Sequence, residues 1–383
     1  MGFRKFLPDQ LFDGYRISTQ QVLIANADGT IENIVPVTDA GDEVEQIAGL
    51  ICPGFVNAHC HLELSHLKNA IDPNTGLPDF LYQVVNLRSL PREVIEEAIA
   101  QADRSMYEAG IVAVGDICNT ANTLKQKQQS PVYYHQFVEA IGFNPAGAAA
   151  RFDAARQVYE QFLSYFPEKQ VSIVPHAPYS VTPELWALIR DFAPYSIQSI
   201  HNQECPGENE WFVSKSGELV GFYEKMGLNT NFFEPSGRNS LPSYIDRFAP
   251  TQPLLLVHNV CTSREDLACL EGRAAPVYFC LCPGANLYIS QTLPDIPMLA
   301  QSGVPLVIGT DSLASNHQLS ILEEIRHIRL HFSELPLENI LSWATLNGAK
   351  ALQADAILGS FEKGKKPGII SLGETLSRVK PLH

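Results

Sequence analysis

The chain has 383 residues, 45% hydrophobic and 18% charged, the profile of a folded globular protein long enough for two or three average domains or for one large barrel with an accessory piece, which excludes a disordered chain. With 27 Lys+Arg against 42 Asp+Glu the formal net charge is -15. Such a field repels phosphate backbones and anionic lipid, so neither nucleic acid nor a membrane surface is the expected partner.

Met1 to Asp13 carries Arg4 and Lys5 with no apolar run of signal-peptide length behind them, and no later stretch approaches the roughly 20 apolar residues that span a bilayer. A cytoplasmic protein is expected. Residues 1–49 contain short alternating segments, Gln20 to Ala27 and Ile31 to Val37, joined by the turn-like Ala27-Asp28-Gly29, which predicts β-hairpins. From residue 50 a different rhythm begins, with short β-branched runs followed by longer stretches of helical period. The runs are Leu50 to His59, Ile111 to Cys118, Val132 to Ile141, Val171 to Pro175, Ser196 to His201, Pro253 to Val260, Pro276 to Leu281 and Pro305 to Thr310. Helical patterns lie between them at Pro91 to Ala109, Ala146 to Phe166, Pro183 to Phe192, Glu208 to Met226, Arg264 to Glu271 and Leu319 to Phe332.

Strand and helix alternating in this way predict an α/β fold, a (β/α)8 TIM barrel, because each parallel crossover needs a helix to return the chain. The tail Gly359 to Leu372 carries Gly359, Gly364, Gly368 and the apolar Ile369-Ile370, which predicts a strand returning to the first β-segments. The expected domains are therefore a small composite β-domain from 1–49 and 357–383, and a barrel over 50–356. Cys118, Cys261, Cys280 and Cys282 sit in apolar strand-like runs, as reduced core thiols do, and Cys280 and Cys282 lack the spacing of a thiolate metal site.

In a parallel barrel, function is built at the C-terminal ends of the strands. His59 and His61 close the first run, His176 the fourth, His201 the fifth, His258 the sixth and Asp311 the eighth. Alternate strand residues point the same way, so His59-Cys60-His61 can bring two imidazoles to one ion. With His201 and Asp311 the set is three imidazoles and a carboxylate, a mononuclear divalent site for zinc or iron that leaves a position for water. Glu204, three residues past His201, is either a solvated carboxylate or a general acid/base beside that water. For His258 three roles stand open: a fifth ligand, a satisfied core histidine, or a donor to the attacking oxygen.

The segments Pro53-Gly54-Phe55-Val56-Asn57-Ala58-His59-Cys60-His61, His176-Ala177-Pro178-Tyr179-Ser180, His201-Asn202-Gln203-Glu204, Val257-His258-Asn259, Cys282-Pro283-Gly284-Ala285-Asn286 and Gly309-Thr310-Asp311-Ser312 resemble, in order, the amidohydrolase superfamily. More narrowly they resemble its deaminase and chlorohydrolase branch, which includes guanine, S-adenosylhomocysteine and 6-aminodeoxyfutalosine deaminases. The tail Leu358 to Lys365 is similar to that family's closing β-segment. The resemblance implies that His59, His61, His201 and Asp311 hold the metal, zinc first and iron second. It implies that Glu204 shuttles the proton, that His258 contacts the water and developing oxyanion, that Asp311 takes part in catalysis, and that His176 contacts substrate. Binuclear relatives bridge two ions with a carboxylated lysine on the fourth strand. Val171 to His176 contains no lysine, which supports a single ion. A homodimer is the candidate assembly and a small molecule the expected partner.

The implied reaction is hydrolysis of an aromatic amidine with release of ammonia from an aminopurine nucleoside-like substrate. Glu63-Leu64-Ser65 after the histidine pair, followed by a Gly-Leu-x-x-Phe-like segment from Gly76, resembles 6-aminodeoxyfutalosine deaminases. Glu63 would then hold a base edge or ribose hydroxyl, and Arg88 a substrate carboxylate; the other reading makes Glu63 a turn cap and Arg88 a solvated helix residue. Phe232 and Phe233 are candidate pocket walls or core. Ala285 and Pro367-Gly368 depart from the family pattern, the first within the expected pocket. The alternatives are a guanine or S-adenosylhomocysteine deaminase, a chlorohydrolase or a cyclic amide hydrolase of the same superfamily. From a different class comes a catalytically silent barrel, against which the presence of both Glu204 and Asp311 speaks.

Overall fold

The computed structural model describes residues 2–373 and 376–382. Met1, Glu374, Thr375 and His383, which fall in the expected composite β-domain, lie outside the described residues. The chain opens with β1 (Phe3–Phe12), β2 (Ile17–Ser18), β3 (Gln21–Asn26), β4 (Ile31–Pro36) and β5 (Glu45–Pro53). The predicted Ala27-Asp28-Gly29 turn joins β3 to β4, with Gly29 in left-handed backbone at φ 87°.

Two four-stranded parallel sheets follow. The first runs β6 (Phe55–Cys60), β7 (Ile111–Cys118), β8 (Tyr133–Ala140), β9 (Val171–Pro175) in spatial order. The second runs β10 (Gln198–Asn202), β11 (Leu254–His258), β12 (Val277–Leu281), β13 (Leu306–Ile308). Helices return the chain between many of these strands, as parallel crossovers require, for example Arg92–Glu108, Ala148–Leu163 and Pro183–Phe192. Hydrogen bonds also span the sheet edges: His201 N donates to His176 O at 3.0 Å, and Thr310 N and Asp311 N donate to His59 O at 3.0 and 3.1 Å. Finally β14 (Ile369–Leu372) and β15 (Val379–Pro381) return to the first sheet, whose order is β15-β14-β5-β1-β3-β4 with β2 paired to β1.

The parallel strands are buried on both faces, as sheets covered on both sides must be. Along β11, Leu254 and Leu256 join the larger apolar cluster, while Leu255 and Val257 join a second one with Val56, Ala58 and Val307. Among the described residues no helix is long and apolar enough to cross a membrane.

Two expected elements divide. The run Leu50 to His59 is not one strand: it breaks at Gly54, so residues 50–53 pair with β14 and residues from Phe55 pair with β7. Gly54 is required there because a Cβ would lie 2.3 Å from Val112 Cγ1 and 2.9 Å from Pro367 O. The helical stretch Glu208 to Met226 is two helices, Pro206–Ser214 and Glu218–Lys225. Lys215 caps the first in left-handed backbone, and Gly217 at φ 86° starts the second.

Behind β7 lies a buried ion pair between Lys127 Nζ and Asp116 Oδ2 at 2.5 Å. Lys127 also donates to Gln136 Oε1 at 2.7 Å, and Asp116 Oδ1 accepts from Leu62 N at 2.7 Å, the residue directly after His61. Burial would lower the Lys127 ammonium, but Asp116 and Cys118 outweigh it and hold it above its ordinary value. Removing one partner strands the other charge, so Lys127→Met is expected to cost about 3–5 kcal/mol and to lower the thermal midpoint. An unchanged midpoint in a melting experiment would show that the pair carries no net stability.

Candidate active site

The strand ends bring His59, His61, His201 and Asp311 into one buried cluster whose potential ligand atoms all lie within 4.8 Å of one another. His61 Nε2 is 3.2 Å from His201 Nε2 and 3.3 Å from Asp311 Oδ1, and His59 Nε2 is 3.5 Å from the same oxygen. A tetrahedral shell with bonds of about 2.0–2.1 Å has edges of roughly 3.3–3.4 Å, so these separations suit a single small divalent ion. Two further observations fit. Neither ring nitrogen of His59, fully buried, has a hydrogen-bond partner. His201 Nδ1 lies 2.8 Å from the His176 carbonyl; a carbonyl can only accept, so Nδ1 carries the proton and the Nε2 lone pair faces the cluster.

Local backbone directs these side chains. The β6–β7 register shifts between Asn57 and Cys60, just where the two histidines emerge. Alternation along β11 would send His258 toward the outer layer with Leu254 and Leu256. Instead His258 takes φ 75°, and its ring centre lies 5.5 Å from that of His201 and 5.9 Å from that of His59. Gln203, Asn259 and Asp311 are also left-handed, at φ 46°, 61° and 56°, conformations that cost non-glycine residues about 1–3 kcal/mol and concentrate at functional sites. Buried hydrogen bonds hold them: Gln203 N donates to Glu208 Oε1 at 2.9 Å, and Asn259 N to Asn202 O at 3.0 Å.

The electrostatics separate the two carboxylates. Burial alone would raise Asp311, but His59, His61 and His258 outweigh it and hold the carboxyl well below the usual range. Burial pushes Glu204 well up, with repulsion from Asp311 and Glu208 adding to it. Glu208 is itself raised to about 7 by burial. Burial lowers His61 well below its ordinary value and both His176 and His201 to about 4, so these imidazoles are neutral, as metal ligands and acceptors must be. Glu204 Oε1 lies 3.4 Å from His258 Nε2. The other ring nitrogen, His258 Nδ1, is 3.1 Å from Asn286 Nδ2. In that amide orientation Nδ1 accepts, leaving the imidazole proton on Nε2.

Above the cluster opens a pocket lined by His61, His176, His201, Glu204, His258, Asp311 and Ser312 at its floor, and by Leu77, Phe80, Val84, Phe143, Tyr179 and Phe222 on its sides. His176 thus reaches the pocket, its Nδ1 fixed 2.7 Å from Ser180 Oγ. Arg88 also lines the pocket, on the helix Leu77–Leu87 at its C-cap, whereas Glu63 does not. Glu63 is buried, with Oε1 accepting from Arg88 at 2.9 Å and Oε2 from Thr120 N and Oγ1 at 3.0 and 2.9 Å. Phe232 and Phe233 line a neighbouring cavity with Trp211 and Arg247 instead, Phe233 stacking on Trp211 at 4.6 Å. Of the two readings, core packing is the one Phe233 meets, against Trp211 and Phe212 of the helix Pro206–Ser214.

Asn119 and Glu139 also line the pocket and were not singled out by sequence. Glu139 lies two residues before the end of the third predicted run, Val132 to Ile141, so the strand-end rule that picked out the histidines reaches it as well. Glu139 groups with His176 and His201 as a second possible cation set. His201 Nδ1, however, is the atom already donating to the His176 carbonyl and has no lone pair to offer.

Residues 50–381 match the sequence model of the amidohydrolase family. The chain is 28% identical over 331 residues to an adenosine deaminase of Helicobacter pylori, covering 85% of this chain and 79% of that protein. It is 27% identical to an aminodeoxyfutalosine deaminase of Nitratiruptor sp., over 92% of this chain and 87% of the relative. Its fold is similar to that of Helicobacter pylori aminofutalosine deaminase, solved in complex with methylthio-coformycin, with a TM-score of 0.84 at 24% identity, covering 99% of this chain and 97% of the other.

Proposed function

Because this chain belongs to the amidohydrolase family, we propose that it is a metal-dependent hydrolytic deaminase that releases ammonia from an aminopurine nucleoside-like substrate. The observation that carries this reading is the pairing of Glu204 with His258 at 3.4 Å, beside the His59/His61/His201/Asp311 cluster, at the floor of a pocket with apolar aromatic walls. Such walls suit a flat purine, and the convergent polar groups suit its amidine edge. The likeness to adenosine and aminodeoxyfutalosine deaminases points the same way.

His59, His61, His201 and Asp311 would hold the ion, zinc being the best match to a nitrogen-rich set with tetrahedral edges. Bound there, a divalent ion would make water far more acidic and so supply hydroxide near neutral pH. In this reading Asp311, whose carboxyl lies well below the usual range, takes the proton of the attacking water. Glu204, kept protonated by burial, donates to the ring nitrogen next to the amino-bearing carbon, and the proton Asp311 took from the water then passes to the amino group, which leaves as ammonia. His258, with its proton on Nε2, stabilises the developing oxyanion. His176 orients the substrate from the wall beside Tyr179. We also take the two parallel sheets as one eight-stranded barrel over 50–356, completed by the composite β-domain of 1–49 and 357–383. The hydrogen bonds spanning the sheet edges and the return of β14 to β5 support that division.

The specific substrate we favour is 6-aminodeoxyfutalosine. Ammonia release by metal-replete protein is to be measured on that compound, S-adenosylhomocysteine, methylthioadenosine, adenosine, guanine and cytosine. The expected result is a kcat/KM at least about tenfold higher for one adenine nucleoside, 6-aminodeoxyfutalosine first, than for the free bases. Silence across the panel with metal bound would overturn the nucleoside reading.

A further inference from the structure

Opposite the catalytic carboxylate, the pocket wall holds a polar relay that the proposed reaction does not use. Arg88 Nη2 lies 2.9 Å from Glu63 Oε1 and 3.1 Å from Asn119 Oδ1, and Asn119 Nδ2 lies 2.8 Å from Glu139 Oε2. The direction of this relay is forced by chemistry. A guanidinium has only donors, so it must meet the oxygen of the Asn119 amide. That turns the amide nitrogen to Glu139 and makes Oε2 an acceptor.

The relay ends on an unsatisfied atom. Glu139 is 7% exposed, and its Oε1 has no hydrogen-bond partner. The nearest donor nitrogen recorded for it, His201 Nδ1, is 3.7 Å away and already donates to the His176 carbonyl. A buried carboxylate oxygen left unpaired is costly, and this one belongs to a residue that lines the substrate pocket. With Glu63 buried behind the wall and Glu139 in it, two carboxylates share one guanidinium, so the surplus is of acceptors.

We infer that Glu139 Oε1 is a specificity subsite that accepts a hydrogen bond from a hydroxyl or N–H of the substrate outside the reacting amidine. Arg88 and Asn119 are positioning residues that hold Glu139. The subsite rests on the nucleoside reading above, and the same experiment separates the two.

The test takes the nucleoside with the highest wild-type kcat/KM in the panel, its 2′-deoxy and 3′-deoxy counterparts, and 9-methyladenine. Each is measured with wild type and Glu139→Gln, and metal content is checked for both. Glutamine has the same shape, but its oxygen must face Asn119, which turns an NH2 to the pocket where an acceptor stood. A charge-assisted hydrogen bond lost in this way corresponds to about a ten- to hundredfold change. KM for the nucleoside should rise by that factor with kcat within about threefold. If a sugar hydroxyl is the donor, one deoxy counterpart shows the same rise in the wild type and no further penalty in the variant. A penalty that persists in full on 9-methyladenine, whose only N–H donors belong to the reacting amidine, overturns the subsite. A KM unchanged in Glu139→Gln, or a loss confined to kcat and metal content, overturns the subsite while leaving the deaminase intact. A wild type that turns over no nucleoside overturns both.

Discussion

Glu204→Gln is expected to lower kcat by about 10²- to 10⁴-fold, the range in which a positioned general acid/base acts, without loss of bound metal. Burial, then repulsion from Asp311 and Glu208, raises the Glu204 carboxyl well above the ordinary value, so it can carry a proton near neutral pH. Its oxygen sits 3.4 Å from His258 Nε2 at the pocket floor. Glutamine keeps the shape and the backbone contact of Glu204 N with Glu208 Oε2 at 3.3 Å, but it cannot give up or take a proton. Steady-state kinetics beside metal analysis read the two effects separately. A variant that kept full activity would remove Glu204 from the chemistry.

Withdrawal of the metal should abolish activity altogether. Three imidazoles and a carboxylate within 4.8 Å form a site that exists only in the folded chain, so occupancy also adds stability by mass action, about 2.7 kcal/mol at a free ion concentration of 100 times Kd. Chelation should therefore take ammonia release to background and lower the thermal midpoint, and both should return on adding zinc. His201→Ala should not be rescued in this way, because it removes an Nε2 whose lone pair is held toward the cluster by the 2.8 Å contact of Nδ1 with the His176 carbonyl. Full activity after exhaustive chelation would exclude a metal-dependent mechanism.

Much of this architecture was legible in the chain because it rests on local periodicity. Alternation of short β-branched runs with helical stretches marks parallel crossovers, and the rule that barrel chemistry sits at strand C-termini picked out His59, His61, His176, His201, His258 and Asp311 among 11 histidines and 42 acidic residues. All six line the pocket or the cluster. Where the expected elements failed, the cause was a contact remote in sequence. The break at Gly54 is imposed by Val112 and Pro367, and of the two places open to Phe233 it is Trp211 that decides for the core.

By itself, then, the sequence determined the alternation of elements and which side chains gather at one end of the strands, since both follow from spacing along a single chain. Only the tertiary structure decided what each polar atom faces. Glu63 is held by Arg88 and Thr120, respectively 25 and 57 residues away, and Glu139 by Asn119 across neighbouring strand ends. His258 reaches the centre only because its backbone turns to φ 75°, held by Asn259 on Asn202 from the adjacent strand. Hydrogen-bond partnership is a property of distance and direction in space, and neither is written in the order of residues until the strands have packed side by side.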